Sequence, residues 1–175
     1  MALKTDIRGM VWEYPDTFVV GREQVRQFAK AVKSTAPATV DEAAAAELGH
    51  DALIAPLTFA SIFAVMIQTH FFQHVDVGME TMQIVQVDQK FRFHRPIKVG
   101  DRLTGTMYVE TVVERFGADI VTTRNVCAEQ DGTIVMEAFT TLMGHEGDNS
   151  IAVKWDPETG QVVRTASGEN GQAAD

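Results

Sequence analysis

Leu57-Thr58-Phe59-Ala60-Ser61-Ile62-Phe63-Ala64-Val65-Met66-Ile67-Gln68-Thr69-His70-Phe71-Phe72-Gln73 is followed, after a short break, by Met82-Gln83-Ile84-Val85-Gln86-Val87-Asp88-Gln89-Lys90-Phe91-Arg92-Phe93. The change of period between these two stretches decides the fold. The first is apolar nearly all round, which predicts a helix from about Leu57 to Gln73 buried on several sides rather than along one stripe. Pro56 stands where a first-turn proline is tolerated. Phe59, Ile62, Phe63, Met66 and His70 make one flank bulky, while Ala60, Ser61 and Ala64 make another thin. In the second stretch Val85, Val87, Gln89, Phe91 and Phe93 alternate with Gln86, Asp88, Lys90, Arg92 and His94. Alternation of this kind predicts a half-buried antiparallel strand.

Beyond that strand, Pro96 to Asp101 predicts a turn, and Leu103–Phe116, Ile120–Glu129 and Thr133–Met143 three further strands. Gly117-Ala118-Asp119 and Asp131-Gly132 separate them as turns. Upstream, Phe18-Val19-Val20 reads as a short strand stopped by Gly21. Val25, Phe28, Ala29 and Val32 then mark an amphipathic helix from Arg22 to about Lys33, broken by Pro37. Asp41 suits the N-cap of a helix over Glu42–Leu48, with Gly49 as its stop. The expected class is α+β, an antiparallel sheet curled about a long central helix. Residues 1–145 form that domain. Residues 146–165 read as an extension with a small hairpin, its tip at Trp155–Gly160 between Val153 and Val162, and 166–175 as a disordered end.

At 175 residues the chain suits one domain, and 45% hydrophobic with 22% charged residues is ordinary globular usage. Twenty-four acidic against 15 basic residues give a formal charge of −9, which disfavours nucleic acid as a partner. One cysteine, Cys127, cannot cross-link the chain to itself and fits a reducing compartment. No signal-peptide pattern opens the chain. Leu57–Phe72 is interrupted by Thr58, Ser61, Gln68, Thr69 and His70 and is too polar and short for a membrane span. A cytoplasmic location is expected.

Few residues offer chemistry of their own. His70 and His74 have the spacing of a metal pair, but no third and fourth ligands follow. A helix C-terminus, where histidine bonds the last carbonyls, explains them better. Cys127 lies in an alternating strand, where a buried inert thiol is the usual outcome. Ser61 lacks the G-x-S-x-G surroundings of a hydrolase nucleophile, and no phosphate-binding glycine loop occurs. Neither cofactor nor metal is expected. Lys90, Arg92, Arg95, Lys98 and Arg102 form a basic run in an acidic chain, either a wet sheet face or a dock for an acidic partner.

The opening Met1–Met10, the segment Ala55-Pro56-Leu57-Thr58-Phe59 and the stretch His74–Phe93 closely resemble the C-type subunits of mycobacterial (3R)-hydroxyacyl-ACP dehydratases. These belong to the MaoC-like hydratase group of hotdog proteins. The resemblance runs from Met1 to about Thr165. It implies a hotdog fold, half of a double hotdog completed by a catalytic B-type subunit, and a place in the elongation cycle leading to mycolic acid precursors. Catalytic members carry a D-x-N-P-apolar-H motif; here the corresponding stretch is Ser34-Thr35-Ala36-Pro37-Ala38-Thr39, with Ser34 for the Asp and Thr39 for the His. Neither hydroxyl titrates near neutral pH, whereas elimination from a β-hydroxyacyl thioester needs an acid–base pair. Leu57 also replaces the glycine whose backbone N–H polarises the thioester carbonyl.

The resemblance therefore implies a catalytically silent subunit that shapes the tunnel for the acyl tail. Leu57, Ser61, Ala64 and Gln68 share one helical face and are the candidate tunnel lining. Small residues there equally suit close packing of helix on sheet. The acidic acyl carrier protein would be the partner of the Lys90–Arg102 run. Two rival readings are a stand-alone acyl-thioester-binding homodimer without catalysis, and an enzyme with an unrecognised site using Asp41, Glu42 or His50.

Overall fold

The first elements in chain order are β1 (Val11–Glu13), β2 (Phe18–Val19), α1 (Arg22–Ala31), a 3-10 turn (Pro37–Thr39) and α2 (Glu42–Glu47). A second 3-10 turn (Leu57–Phe59) leads into α3 (Ala60–His74), followed by β3 (Met82–Phe93), β4 (Arg102–Arg115), β5 (Ala118–Glu129) and β6 (Ile134–Glu146). A last ribbon comprises β7 (Ile151–Asp156) and β8 (Gln161–Ala166). This computed structural model describes residues 3, 5–77 and 82–146 and the two ribbon strands; residues 82, 83, 146 and the ribbon are described by backbone alone. Of the expected disordered end, 166–175, Ala166 closes β8 and the rest lies outside the described residues.

Local chemistry sets the helix ends. At the start of α1 the Gln24 side chain accepts from the Gly21 N–H at 3.4 Å. The helix stops at Ala31, two residues earlier than the periodicity predicts, because Lys33 turns left-handed (φ 54) and the Ser34 N–H returns to the Ala29 carbonyl. Asp41 caps α2 as expected, accepting from the Ala43 N–H at 3.1 Å.

The sheet runs β1-β4-β5-β6-β3, antiparallel throughout, with β2 beside β1 on the same neighbour, β4. It curls about α3, which presses Ala60, Phe63, Ala64, Ile67, Gln68 and Phe71 inward. Leu103, Met107, Val109, Val121, Cys127, Met136 and Ala138 meet it from the strands. This is the hotdog arrangement expected from the sequence.

Three expectations are corrected. First, α3 is buried along one stripe, not on several sides: Val65 is 50% and Met66 36% exposed, because a single sheet covers only one side of a helix. Second, Val85 and Val87 do not share the inward face of Gln89, Phe91 and Phe93. The register shifts between Gln86 and Asp88, so Val87 is an extra residue that flips the alternation and leaves both valines about half exposed. Third, the turn joining β4 to β5 is Phe116-Gly117, not Gly117-Ala118-Asp119. Arg115 pairs with Ala118, and both turn residues have positive φ (54 and 74), as a two-residue hairpin of the right twist demands.

Candidate functional site

The stretch that resembles the catalytic motif folds into the first 3-10 turn and is closed on itself. The Thr39 hydroxyl donates to the Ala36 carbonyl at 2.8 Å, and the Ser34 hydroxyl accepts from the Ala36 N–H at 3.4 Å. Both hydroxyls thus serve one residue's backbone. Thr39 is buried, and the Ile54 N–H donates to the Ala38 carbonyl, which ties the turn to the segment before α3. Neither hydroxyl ionises near neutral pH, so neither can serve unaided as a base.

The other titratable groups near that turn are engaged in structure. Asp41 caps α2, and Glu42 pairs with Arg22 at 2.6 Å, which holds its carboxyl below the usual range. Asp51 is likewise lowered by its bond to Lys98. The backbone N–H of His50 closes the end of α2 on the Ala45 carbonyl. Two residues of the rival catalytic reading, Asp41 and Glu42, are thus engaged by Ala43 and Arg22.

The candidate tunnel residues separate. Leu57 belongs to the second 3-10 turn and is 70% exposed. It borders a groove of about 350 Å³ with Ile54, Pro56, Phe93, His94 and Arg95. The Ser61 hydroxyl donates to the Thr58 carbonyl at 2.7 Å. Ala64 and Gln68 lie under the sheet, and the Gln68 amide donates to the Thr123 hydroxyl at 3.3 Å. Gln68 therefore joins a polar line that sequence reading missed. Thr123 is register partner to Thr140 and Thr140 to Gln89, whose side chain accepts from the Thr140 hydroxyl and donates to the Phe139 carbonyl. Asn125, fully buried two residues on from Thr123, has neither amide atom bonded among the described residues. Polar residues at inward-facing strand positions were the available signal, but their facing depends on bulges that a sequence does not mark.

Most of the basic run is neutralised within the chain. Arg95 contacts Asp101 at 2.7 Å and Glu129 at 3.0 Å, and Lys98 contacts Asp51 at 2.6 Å. Arg92 reaches Glu137 at 3.5 Å, with His94 at 3.1 Å and Arg124 at 3.2 Å on the same carboxylate. Lys90 lies over the Phe139 ring, and Arg102 borders an acidic surface groove with Asp101, Glu129 and Asp131. At the far end of α3, the Trp12 indole N–H donates to Nδ1 of His70 at 3.0 Å, and His74 Nδ1 bonds the His70 carbonyl at 2.7 Å. Among the described residues no cluster of three or more His, Cys, Asp or Glu forms. No helix there is long and apolar enough to cross a membrane. Burial pushes the Cys127 thiol up to about 12, so it is inert at neutral pH.

Comparison with known proteins completes the picture. A family model for the FAS1-like dehydratase domain region matches residues 8–138. A UPF0336 protein of Mycobacterium tuberculosis is 65% identical over 166 residues, covering 95% of this chain and all of the relative. Among solved structures, a chain of the C-terminally truncated HadBC (3R-hydroxyacyl-ACP dehydratase) complex from the same species is 62% identical, with TM-score 0.76 over 81% of this chain and 99% of that one. A MaoC-like dehydratase is 33% identical, with TM-score 0.75 over 82% of this chain and 44% of that one. With an antiparallel sheet curled on one central helix and these likenesses along most of its length, the chain belongs to the FAS1-like dehydratase-region family and has the hotdog fold of MaoC-like dehydratases.

Proposed function

We propose that this chain is the non-catalytic, C-type subunit of a heterodimeric (3R)-hydroxyacyl-ACP dehydratase. The heterodimer converts long-chain 3-hydroxyacyl-ACP to the trans-2-enoyl-ACP in the fatty acid elongation that leads to mycolic acids. The observation that carries the proposal is the turn at Ser34–Thr39, where two hydroxyls bonded to the Ala36 backbone stand in place of an acid–base pair. Dehydration removes a proton from C2 and expels the C3 hydroxyl as water, which needs a base and an acid in reach of one substrate. A catalytic B-type subunit supplies them, and this chain contributes the wall of the acyl tunnel, with Leu57 and Ser61 at its open end and Ala64 and Gln68 behind them under the sheet.

Two open surfaces favour a partner. Among the described residues β3 is an edge strand of twelve residues, and an edge of that length invites sheet extension. The outer stripe of α3 carries Val65 and Met66 into solvent. Both surfaces would serve a homodimer equally, which keeps the non-catalytic acyl-binding homodimer as the second reading. For the acyl carrier protein, Lys90 and Arg102 are the members of the basic run that form no ion pair among the described residues. Either they or the catalytic partner would receive it, in the cytoplasm.

Hydration of a long trans-2-enoyl thioester by the purified chain, by the B-type subunit and by the co-expressed pair tests the proposal. Full activity is expected only from the pair, abolished by substituting the partner's acid–base residues and retained in Thr39→Val of this chain. Turnover by this chain alone would overturn it. A stable self-paired species that binds acyl thioester and ignores the B-type subunit would establish the second reading.

A further inference from the structure

The outer face of the sheet, away from α3, carries an apolar row set by strand register. Val113 on β4 pairs with Ile120 on β5, Ile120 with Met143 on β6, and Met143 with Val85 on β3. Val113, Ile120 and Met143 lie opposite the buried set, since their neighbours Val112, Val121 and Leu142 are buried, and Val85 follows from its register with Met143. Val113 is 43% and Val85 50% exposed, with Val87, 52% exposed, beside it. Single exposed apolar residues are ordinary, but four in register on adjacent strands make a strip about 14 Å long.

The next row is polar, with Thr111, Thr122, Thr141 and Asp88 in register. The following one alternates ring and cation: Tyr108, Arg124, Phe139 and Lys90, with Arg124 4.6 Å from the Tyr108 ring. The apolar row is thus bounded on one side, and β6, which carries Met143, is the strand that precedes the C-terminal ribbon in the chain.

That ribbon is a two-stranded sheet of its own. Two strands alone are marginally stable in water and need a surface to pack on. Its register sets Ile151 opposite Ala166, Val153 opposite Arg164 and Trp155 opposite Val162. By the two-residue period of a strand, these six positions share one face, apolar but for Arg164, while Ala152, Lys154, Asp156, Gln161, Val163 and Thr165 fall on the other, mostly polar one. Ile151 follows Glu146, three residues beyond Met143, and five residue steps reach at most about 17 Å. The first ribbon strand therefore begins within reach of the row, and its sequence pattern offers apolar positions of matching character.

We propose that the row Val113–Ile120–Met143–Val85 is the docking surface of the chain's own C-terminal ribbon, β7–β8. Docked there, the ribbon shields the outer face and leaves the β3 edge free for sheet extension to a partner.

Thiol labelling in the full-length chain tests this, because fully buried Cys127 gives a silent background. Val113→Cys and, separately, Met143→Cys are labelled with a bulky maleimide, each with and without Trp155→Ser. Removing Trp155 is expected to speed labelling at both positions by about tenfold through loss of the closed state, at every protein concentration. A control cysteine at Thr104, exposed on the same face but at the opposite end of β4, should not respond. Equal rates with and without Trp155 at both positions would overturn the proposal. So would protection that appears only as protein concentration rises, which would assign the row to a second copy.

Discussion

Gly105 of β4 lies so close beneath Ile67 of α3 that a methyl group on it would sit 2.4 Å from the Ile67 Cδ1 and 2.9 Å from the Phe63 ring. No real contact is that short, so the helix rests on bare backbone at this point. Gly105→Ala must displace both side chains, and Phe63 is a rigid ring packed on Phe18 and Tyr14. The substitution is expected to cost about 1–3 kcal/mol, the range for overpacking a filled core. Denaturant unfolding of the full chain measures it, and an unchanged midpoint would refute the close approach.

Glu137 gathers two guanidinium groups and the His94 ring on one nearly buried carboxylate. The His94 hydrogen bond, followed by Arg124 and the charge of Arg92, holds its pKa below the ordinary value of 4.5. A carboxyl depressed on folding stabilises the native state above its unfolded pKa. That contribution disappears as pH falls through the lower folded value. Glu137→Gln should therefore destabilise the protein at pH 7, by about 1–2 kcal/mol since Arg92 and His94 remain half in water. The gap between variant and parent should close as pH is taken well below 4.5. Thermal melts across pH 7 to 3 follow it.

Asn125 is a buried amide that finds no partner among the described residues, between Met107 and Ala138 in the sheet register. Burying an unsatisfied amide is unfavourable by about 1–3 kcal/mol, and a β-branched apolar residue suits a strand. Asn125→Val is expected to raise the melting temperature. A fall would mean that the amide is bonded in solution, by water or by a ligand's polar group.

Phe116 stands at the tip of the β4–β5 hairpin, fully exposed and with φ 54. The left-handed region disfavours a bulky side chain by about 1–2 kcal/mol, and asparagine adopts it readily. Phe116→Asn should stabilise the hairpin by about 1 kcal/mol, visible as a higher unfolding midpoint. A lower midpoint would show that the ring makes a contact worth more than the strain.

What could be read directly from the residues was whatever depends on local period. An apolar run followed by alternation requires a helix and a strand with one dry face, and three further alternating strands leave the helix as the only surface to wrap. The two hydroxyls at Ser34 and Thr39 and the cap at Asp41 are likewise local. Two properties needed the folded chain. One is facing: the extra residue at Val87 reverses which side of β3 is dry, and a bulge carries no compositional mark. The other is pairing across distance. Whether Arg95 or Lys98 is free or neutralised depends on Asp101, Glu129 and Asp51, and how near Gly105 comes to Ile67 depends on where the sheet curls. Local period is a property of neighbouring residues, whereas these contacts join residues 6 to 47 positions apart, whose meeting only the closure of the sheet on its helix determines.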